Sequence, residues 1–184
     1  MVEVGAWLRR LHDATADFVP PDDATWFAGQ VWRPGCVIGH HDGAPYNAVW
    51  RGGRLAGFVD WDTAGPSSRE LDLAFAALFW VPLLARGSAW PHTHSPVGDP
   101  RGRLHLMLDA YGYDGDRKMF GTVVAARARI NAGVIRRLAN SGNPAYTAIR
   151  GQVADLERSA REVDARPASF WQPRAADRHM PGSR

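Results

Sequence analysis

The order of apolar and polar positions predicts a helix, a small hairpin and then a helical second half. Val4, Trp7 and Leu8 recur at helical spacing, which predicts a helix over residues 2–14. Residues 15–35 are rich in Pro, Gly and Asp, a composition typical of a loop. A long connection is therefore expected between the first helix and the rest of the chain.

Short apolar runs then occupy residues 36–38, 48–50 and 55–61, at lengths typical of β-strands. The second and third runs are joined by Arg-Gly-Gly-Arg, whose paired glycines favour a tight turn. We predict a hairpin over residues 48–61, entered from a loop at residues 38–47. The polar residues of that loop precede the first strand of the hairpin. Further polar residues follow the second strand, at the end of the third apolar run.

Helix signals dominate the second half of the chain. Ser67 and Glu70 have the spacing of a capping box, which predicts an N-cap at Ser67 and a helix over about residues 68–80. Pro82 is expected to end or kink that helix. Further helices are predicted at residues 100–112, 116–140 and 145–164. We therefore predict a helical subdomain over residues 68–164.

Composition is typical of a single globular domain in the cytoplasm. The chain has 184 residues, 45% of them apolar, with eight Trp to build a core. No run reaches 18 apolar residues, which predicts no membrane span and no membrane partner. The start of the chain lacks the basic region of a signal peptide. One cysteine, Cys36, excludes an internal disulfide and fits a reducing compartment.

Charge is distributed unevenly along the chain. Residues 1–75 hold 6 Arg and 10 acids, a net charge of −4, whereas residues 76–184 hold 16 Lys and Arg and 9 acids, a net charge of +7. The basic residues are scattered over predicted helices, as on solvated helix faces, and form no dense run. No nucleic-acid motif accompanies them, so no nucleic-acid partner is expected.

Four polar side chains lie at loop or strand-end positions of the predicted hairpin: Asp42, Asn47, Asp60 and Asp62. Carboxylate and amide oxygens are ligands suited to Mg²⁺ rather than zinc. A hairpin that starts at Asn47 and ends at Asp60 brings these two side chains to the same end, leaving Asp42 as a base beside the metal. These groups would suit phosphoryl transfer. The alternative is that Asp42 and Asn47 are plain turn residues in a turn-rich segment.

Three motifs together resemble the active-site region of the aminoglycoside phosphotransferase family of kinase-like enzymes, in a bacterial branch with trifolitoxin-immunity-like members. The motifs are His40-x-Asp42-x-x-x-x-Asn47, Val59-Asp60-Trp61-Asp62 and Leu71-Asp72-Leu73-Ala74. They are similar to the His-Arg-Asp loop and Asp-Phe-Gly segment of protein kinases. The resemblance covers roughly residues 4–165.

The resemblance implies a role for each motif residue. Asp42 is the implied catalytic base, and Asn47 and Asp60 are the implied Mg²⁺ ligands, with ATP as the phosphoryl donor. Asp62 stays open between a second metal contact and a hydrogen bond that braces the loop. The resemblance leaves the nucleotide-binding residues unknown.

Three further residues are expected to have structural roles. His40 is implied to be a scaffold residue of the loop, and Asp72 is implied to brace the loop from the start of a helix. His41 stands where the family loop commonly has a small residue, and we expect it to be exposed.

The resemblance implies the C-terminal lobe of the protein-kinase-like fold over residues 1–165, mainly α-helical with one β-hairpin. A flexible tail is expected at residues 166–184. The N-terminal lobe of such enzymes carries a Gly-rich loop and a phosphate-pairing lysine. The 39 residues before His40 contain neither, and the one lysine of the chain is Lys118. We therefore expect the N-terminal lobe to be absent and the chain alone to transfer phosphate weakly or not at all.

Three functions are compatible with these residues. The first is an ATP-dependent phosphotransferase acting on a small-molecule hydroxyl. The second is a non-catalytic binding or immunity-type module that retains the kinase-like loop. The third is a metal-dependent hydrolase using the histidines of the loop and of a His-Thr-His segment, which is disfavoured because that segment has flexible Pro and Gly flanks. These histidines are His40, His41, His92 and His94.

The charge of the second half bears on the substrate. Aminoglycosides are polycations, and a pocket for them needs Asp and Glu, because like charges repel. In this family the acceptor pocket is built largely by the helices after the Asp-Leu-Ala element, and residues 76–184 carry a net charge of +7. Asp109, Asp114 and Asp116 could form only a small negative patch. We therefore expect a neutral or anionic hydroxyl compound, and no aminoglycoside resistance.

Overall fold

A computed structural model describes residues 1–85, 87 and 98–174. The fold is mainly helical with little β-structure, as the sequence predicted. Its elements are α1 (Val2–Ala14), β1 (Val37–Gly39), β2 (Ala48–Arg51), β3 (Arg54–Phe58), β4 (Gly65–Ser67), α2 (Arg69–Trp80), α3 (Pro100–Tyr111), α4 (Arg117–Asn140), α5 (Pro144–Ala148) and α6 (Gln152–Asp164). Two 3-10 turns, at Pro45–Asn47 and Ala168–Trp171, complete the list.

Two antiparallel strand pairs frame the loop between β1 and β2. Strands β2 and β3 form the predicted hairpin, with Ala48 opposite Phe58. Gly52 and Gly53 have φ angles of 55° and 74°, the left-handed values that a two-residue hairpin turn requires. Strands β1 and β4 pair across a gap of 25 residues, a pairing that the sequence did not predict. The loop is thereby held at both of its ends.

Helix α2 begins one residue later than predicted. Its N-cap is Ser68, whose hydroxyl accepts a hydrogen bond from the backbone N–H of Leu71 at 3.2 Å. The prediction of Ser67 was wrong because Ser67 is buried at the end of β4. The capping box is not formed either, since the Glu70 carboxylate accepts a hydrogen bond from the Tyr113 hydroxyl at 2.7 Å.

The core surrounds α2, which is buried on nearly all sides. Leu73, Ala74, Ala77 and Leu78 are at most 1% exposed, and α2 packs against α4. Helix α4 packs on its other side against α6, and α1 packs against α3. Within the described part of the chain, no helix combines the length and the apolar character needed to cross a membrane.

The predicted helix over residues 145–164 is two helices. Asn143 caps α5 by accepting hydrogen bonds from the backbone N–H groups of residues 145 and 146, and Pro144 occupies the first helical position. The chain then turns through Ile149 and Arg150, and α6 starts after Gly151. The prediction was wrong at Gly151, the one glycine in the predicted span and a poor helix former.

Part of the predicted tail packs on the helices. Trp171 is 4% exposed and lies against Gly121 of α4, and the Arg101 guanidinium donates hydrogen bonds to the backbone carbonyl of Gln172. Residues 175–184 lie outside the described residues.

Close packing of α1 on α3 makes Gly5 sensitive to substitution. A Cβ at Gly5 would overlap the backbone carbonyl oxygen of Met107 and lie 3.0 Å from the backbone nitrogen of Tyr111. We expect Gly5→Ala to lower the free energy of unfolding by about 1–3 kcal/mol, measured by urea unfolding. Gly133→Ala is the matched control, because no atom lies within 4 Å of its Cβ position in α4. Alanine there should stabilise by about 0.5–1 kcal/mol, and a loss equal to that of Gly5→Ala would contradict the packing argument.

Candidate active site

Asp42 lies at the centre of the loop between β1 and β2, where its carboxylate is held by two side chains. One oxygen accepts a hydrogen bond from the Tyr46 hydroxyl at 2.6 Å, and the other accepts one from the Asn47 amide at 2.8 Å. Burial, with a smaller contribution from the charge of Asp60, raises the pKa of Asp42 to about 6, against the two hydrogen bonds and Arg127. The group is thus a positioned carboxylate that can take up a proton near neutral pH.

Asn47 and Asp60 lie at the same end of the hairpin. The backbone N–H of Val59 donates to the Asn47 carbonyl at 2.9 Å, which extends the pairing of Ala48 with Phe58 by one position. The side-chain N–H groups of Asn47 donate to the backbone carbonyl and the carboxylate of Asp42. The side-chain oxygen Oδ1 of Asn47 is thereby left to face other partners. Asp60 has a φ of 65° and an exposed side chain.

This donor set fits Mg²⁺ in its chemistry. An amide oxygen and an exposed carboxylate are hard oxygen ligands, and Mg²⁺ commonly takes only one or two protein carboxylates, the rest coming from water and phosphate. Within the ranges 1–85, 87 and 98–174, no group of three or more His, Cys, Asp or Glu side chains could hold a metal. Mg²⁺ binding by Asn47 and Asp60, and the role of Asp62, which is also exposed, stay predictions.

Asp72 braces the loop from the first turn of α2. Its carboxylate accepts hydrogen bonds from the backbone N–H of His40 at 3.1 Å and from that of His41 at 2.7 Å. Burial alone would raise its pKa, but the hydrogen bonds from the His12 ring and from the backbone N–H of His41 hold the pKa of Asp72 well below its ordinary value. Gly39 makes room for this contact, since a Cβ there would lie 2.8 Å from the Asp72 Cγ.

His12 is a supporting residue that the sequence analysis missed. Its ring is fully buried on α1, where Nε2 lies 3.0 Å from the Asp72 carboxylate and Nδ1 lies 2.8 Å from the Tyr111 hydroxyl. An N–H donated to Asp72 leaves Nδ1 to accept from Tyr111. Helices α1 and α3 thus both support the loop through Asp72. The one sequence signal was a histidine on the apolar face of the first helix.

His40 and His41 are both loop supports. The His40 ring makes two hydrogen bonds. Its Nε2 donates to the Val59 carbonyl at 3.1 Å, and its Nδ1 accepts from the backbone N–H of Asp42 at 3.3 Å. Burial lowers the pKa of His40, as this neutral tautomer requires. The expectation of an exposed His41 was wrong: it is 8% exposed, and its Nε2 donates to the Gly65 carbonyl at 3.1 Å.

The hydrolase alternative receives no support from these rings. Burial, and then the charge of Arg127, lower the pKa of His41 to about 4, and its Nε2 is directed at a backbone carbonyl. The other two histidines of that alternative, His92 and His94, lie outside the described residues.

A cavity of about 360 Å³ opens beside Asp42. One face of α4 forms a wall, and α2, α5 and the loop before β1 form the others. The polar part of the lining includes Asp42, Arg127 and Arg137, and the aromatic part includes Tyr46, Phe75 and Tyr146. Tyr146 lines the same cavity as Asp42, and burial, followed by the charges of Asp42, Asp60 and Asp62, raises the pKa of its hydroxyl. Asp42 therefore faces a space large enough for a small molecule.

Comparison with known proteins gives a family and a relative. The family model described as "Phosphotransferase enzyme family" matches residues 3–92. This range contains Asp42, Asn47, Asp60 and Asp72. The chain is 37% identical over 113 residues to the trifolitoxin immunity protein of Rhizobium leguminosarum bv. trifolii. The match covers 60% of this chain and 43% of that relative, less than half of its length. No solved structure matches the chain. The family resemblance stated from the motifs is confirmed.

Proposed function

We propose that this chain takes part in transfer of a phosphoryl group from ATP to a small-molecule hydroxyl, because its residues 3–92 match the model of the phosphotransferase enzyme family. The observation that carries this proposal is the Asp42 carboxylate, which faces the cavity with a pKa raised to about 6. A base with that pKa is largely ionised at pH 7–8 and still accepts a proton readily.

Asp42 is the proposed base. It accepts the proton of the substrate hydroxyl as the oxygen attacks the γ-phosphorus of ATP. The bond from that phosphorus to the bridging β-phosphate oxygen breaks, ADP leaves, and the proton resides on the carboxylate. The hydrogen bonds from Tyr46 and Asn47 fix the carboxylate, so that its oxygens have one orientation before substrate arrives. Asp72 and His12 keep the loop backbone in place behind it.

Asn47 and Asp60 are the residues that would hold Mg²⁺. When bound, the ion supplies positive charge that offsets the charge of the ATP phosphates during transfer. The support for this assignment is the donor chemistry and the position of both residues at one end of the hairpin. The exposed carboxylate of Asp60 is accessible to a metal–nucleotide complex.

The second candidate is a non-catalytic binding or immunity-type module. The observation that favours it is the 37% identity to a trifolitoxin immunity protein. On this proposal the loop and the cavity bind a small molecule, and Asp42 contributes shape and charge without accepting a proton.

Transfer of labelled γ-phosphate from Mg·ATP to a panel of small hydroxyl compounds distinguishes the two candidates. We expect slow transfer by the wild-type chain and a loss of about 10²-fold in Asp60→Asn, because the variant lacks a carboxylate ligand for the metal. Asp114→Asn, which alters an exposed carboxylate between α3 and α4, should have the wild-type rate. The N-terminal lobe of a family member, added in trans, should raise the rate. Absence of transfer by the wild-type chain both alone and with that lobe would contradict the phosphotransferase proposal and favour the non-catalytic module.

A further inference from the structure

Arg127 is a buried cation on the wall of the cavity. It is 5% exposed, and its Nη2 donates to the His41 carbonyl at 3.0 Å. The guanidinium carbon lies 5.2 Å from the centre of the Phe75 ring. Burial lowers the pKa of Arg127 to about 10, and the charges of Asp72 and Asp42 oppose this shift, so the side chain stays cationic at neutral pH.

The guanidinium retains hydrogen-bonding capacity. Its Nε is buried and, within the part of the chain that the structure describes, has no hydrogen-bond partner. The two carboxylates whose charges act on Arg127 are engaged by other donors: Asp42 by Tyr46 and Asn47, and Asp72 by His12 and the loop backbone. A buried N–H without a partner is costly, so such groups often indicate a missing partner.

A second cation lies on the same wall. Arg127 and Arg137 both extend from α4 into the cavity lining, and Arg137 also donates to the Ala28 carbonyl on the opposite loop. The only carboxylate among the described lining residues is Asp42. Two guanidinium groups against one carboxylate, which is itself needed as the base, make a site that favours an anion over a cation.

Most of the remaining lining is apolar or aromatic. Phe75, Ile130, Val134, Ile135 and Ile149 face the cavity, with Tyr46 and Tyr146 near Asp42. Such a surface favours a compact ligand with an apolar body and few polar groups. A guanidinium pairs well with a carboxylate, because its N–H groups match the two oxygens in one plane.

We propose that this cavity is the acceptor site and that it selects a small hydroxyl compound carrying a carboxylate, which Arg127 anchors and Arg137 attracts. The hydroxyl lies towards Asp42 and the apolar body lies against α4. The assignment of the cavity as the acceptor site rests on the proposed function, whereas its preference for an anion rests on the lining alone. Arg127 is thus proposed as a specificity-determining residue.

Three probes of nearly equal size and different charge test this preference. They are 4-(hydroxymethyl)benzoate, its neutral amide 4-(hydroxymethyl)benzamide, and the cationic 4-(hydroxymethyl)benzylamine. Affinities are measured by calorimetry without nucleotide, at low salt and at pH 8. We expect the benzoate to bind about tenfold or more tightly than the amide, which corresponds to about 1.4 kcal/mol, and the benzylamine to bind most weakly.

Substitutions then test the two arginines. Arg127→Met and Arg137→Gln should each reduce the preference for the benzoate, whereas Arg136→Gln should retain it. Arg136 is the matched control, because it is adjacent on α4 but pairs with Glu157 and does not line the cavity. If Arg127→Met fails to fold, as judged by circular dichroism, Arg137→Gln and the order of the three probes in the wild-type chain still decide the question.

The outcomes separate this inference from the proposed function. The anion preference would be overturned if the benzoate and the amide bound equally, or if the benzylamine bound most tightly. It would also be overturned if the benzoate showed no saturable binding at millimolar concentration, or if neither arginine substitution changed the preference. A benzoate preference without phosphoryl transfer, even when the N-terminal lobe of a family member is supplied, would contradict the proposed function alone. Phosphoryl transfer to cationic hydroxyl compounds would contradict this inference and leave the proposed function in place.

Discussion

Asp42→Asn should lower phosphoryl transfer from Mg·ATP by about 10²–10⁴-fold, the range typical of a general base. Asparagine has nearly the same shape and still accepts a hydrogen bond, but it cannot take up the substrate proton. The assay is best run at pH 8, well above the pKa of about 6, where the wild-type carboxylate is ionised. The measurement is the initial rate of transfer at saturating Mg·ATP.

Unfolding of the same variant shows whether the loss is catalytic. The pKa of Asp42 is raised in the folded protein, so its contribution to stability is present below the ordinary pKa of 3.8 and is lost as the pH rises through about 6. At pH 8 the ionised carboxylate therefore opposes folding. Asp42→Asn should be no less stable than the wild type, because the Tyr46 hydroxyl can accept a hydrogen bond from the new amide group while the amide oxygen accepts from Asn47. Asp114→Asn should retain both rate and stability. A folded Asp42→Asn variant with the wild-type rate would exclude Asp42 as the base.

Local signals in the sequence predicted the hairpin and the ends of most helices. Gly52 and Gly53 allow the tight turn, and Asp116 caps α4 by accepting hydrogen bonds from two backbone N–H groups. Gly112 has a φ of 73° directly after α3, a typical helix end. Each signal acts within a few residues, so one sequence suffices to find it. The predicted cap at Ser67 was wrong by one residue, because Ser67 is buried in β4 and Ser68 caps the helix instead.

The supporting contacts of the site were not predictable in the same way. His12 meets Asp72 across 60 residues, and Arg127 meets His41 across 86. Nothing in the sequence near His12 or Arg127 distinguishes them from other histidines and arginines on helices. The motif residues Asp42, Asn47, Asp60 and Asp72 were found because family motifs record such long-range arrangements.

The distribution of charge along the sequence also shows that long-range arrangements are hard to predict from the sequence. The net positive charge of residues 76–184 has the same sign as the balance of the described residues that line the cavity, which contain two arginines and one aspartate. The net charge did not identify which of the 16 basic residues line the cavity. That selection is made by one face of α4, where Arg127 and Arg137 line the cavity and Arg136 does not. A helix turns by about 100° per residue, so neighbouring arginines have different environments.

Asp72→Asn should lower the free energy of unfolding by about 3–5 kcal/mol at pH 7, because a hydrogen bond to a buried charged acceptor contributes about 1.5–3 kcal/mol and a donor left without a partner costs about 1–3 kcal/mol more. The Asp72 side chain is 2% exposed and accepts hydrogen bonds from the His12 ring and from the backbone N–H groups of His40 and His41. Asparagine offers one acceptor oxygen in place of two, and its amide would face a donor. Domains of this kind are stable by about 5–15 kcal/mol, so the loss is large. The measurement is urea unfolding.

The pH dependence of this loss is specific to the carboxylate. The pKa of Asp72 is lowered in the folded protein, so its contribution to stability is present above the ordinary value of 3.8 and is lost as the pH falls towards the folded pKa. The difference in the free energy of unfolding between the wild type and Asp72→Asn should therefore be largest at pH 7 and should decrease below pH 3.8. Asp164→Asn removes an exposed ion pair with Arg129 and should cost no more than about 1 kcal/mol. A loss for Asp72→Asn that matches this control, or that does not change with pH, would show that Asp72 does not brace the loop through its charge.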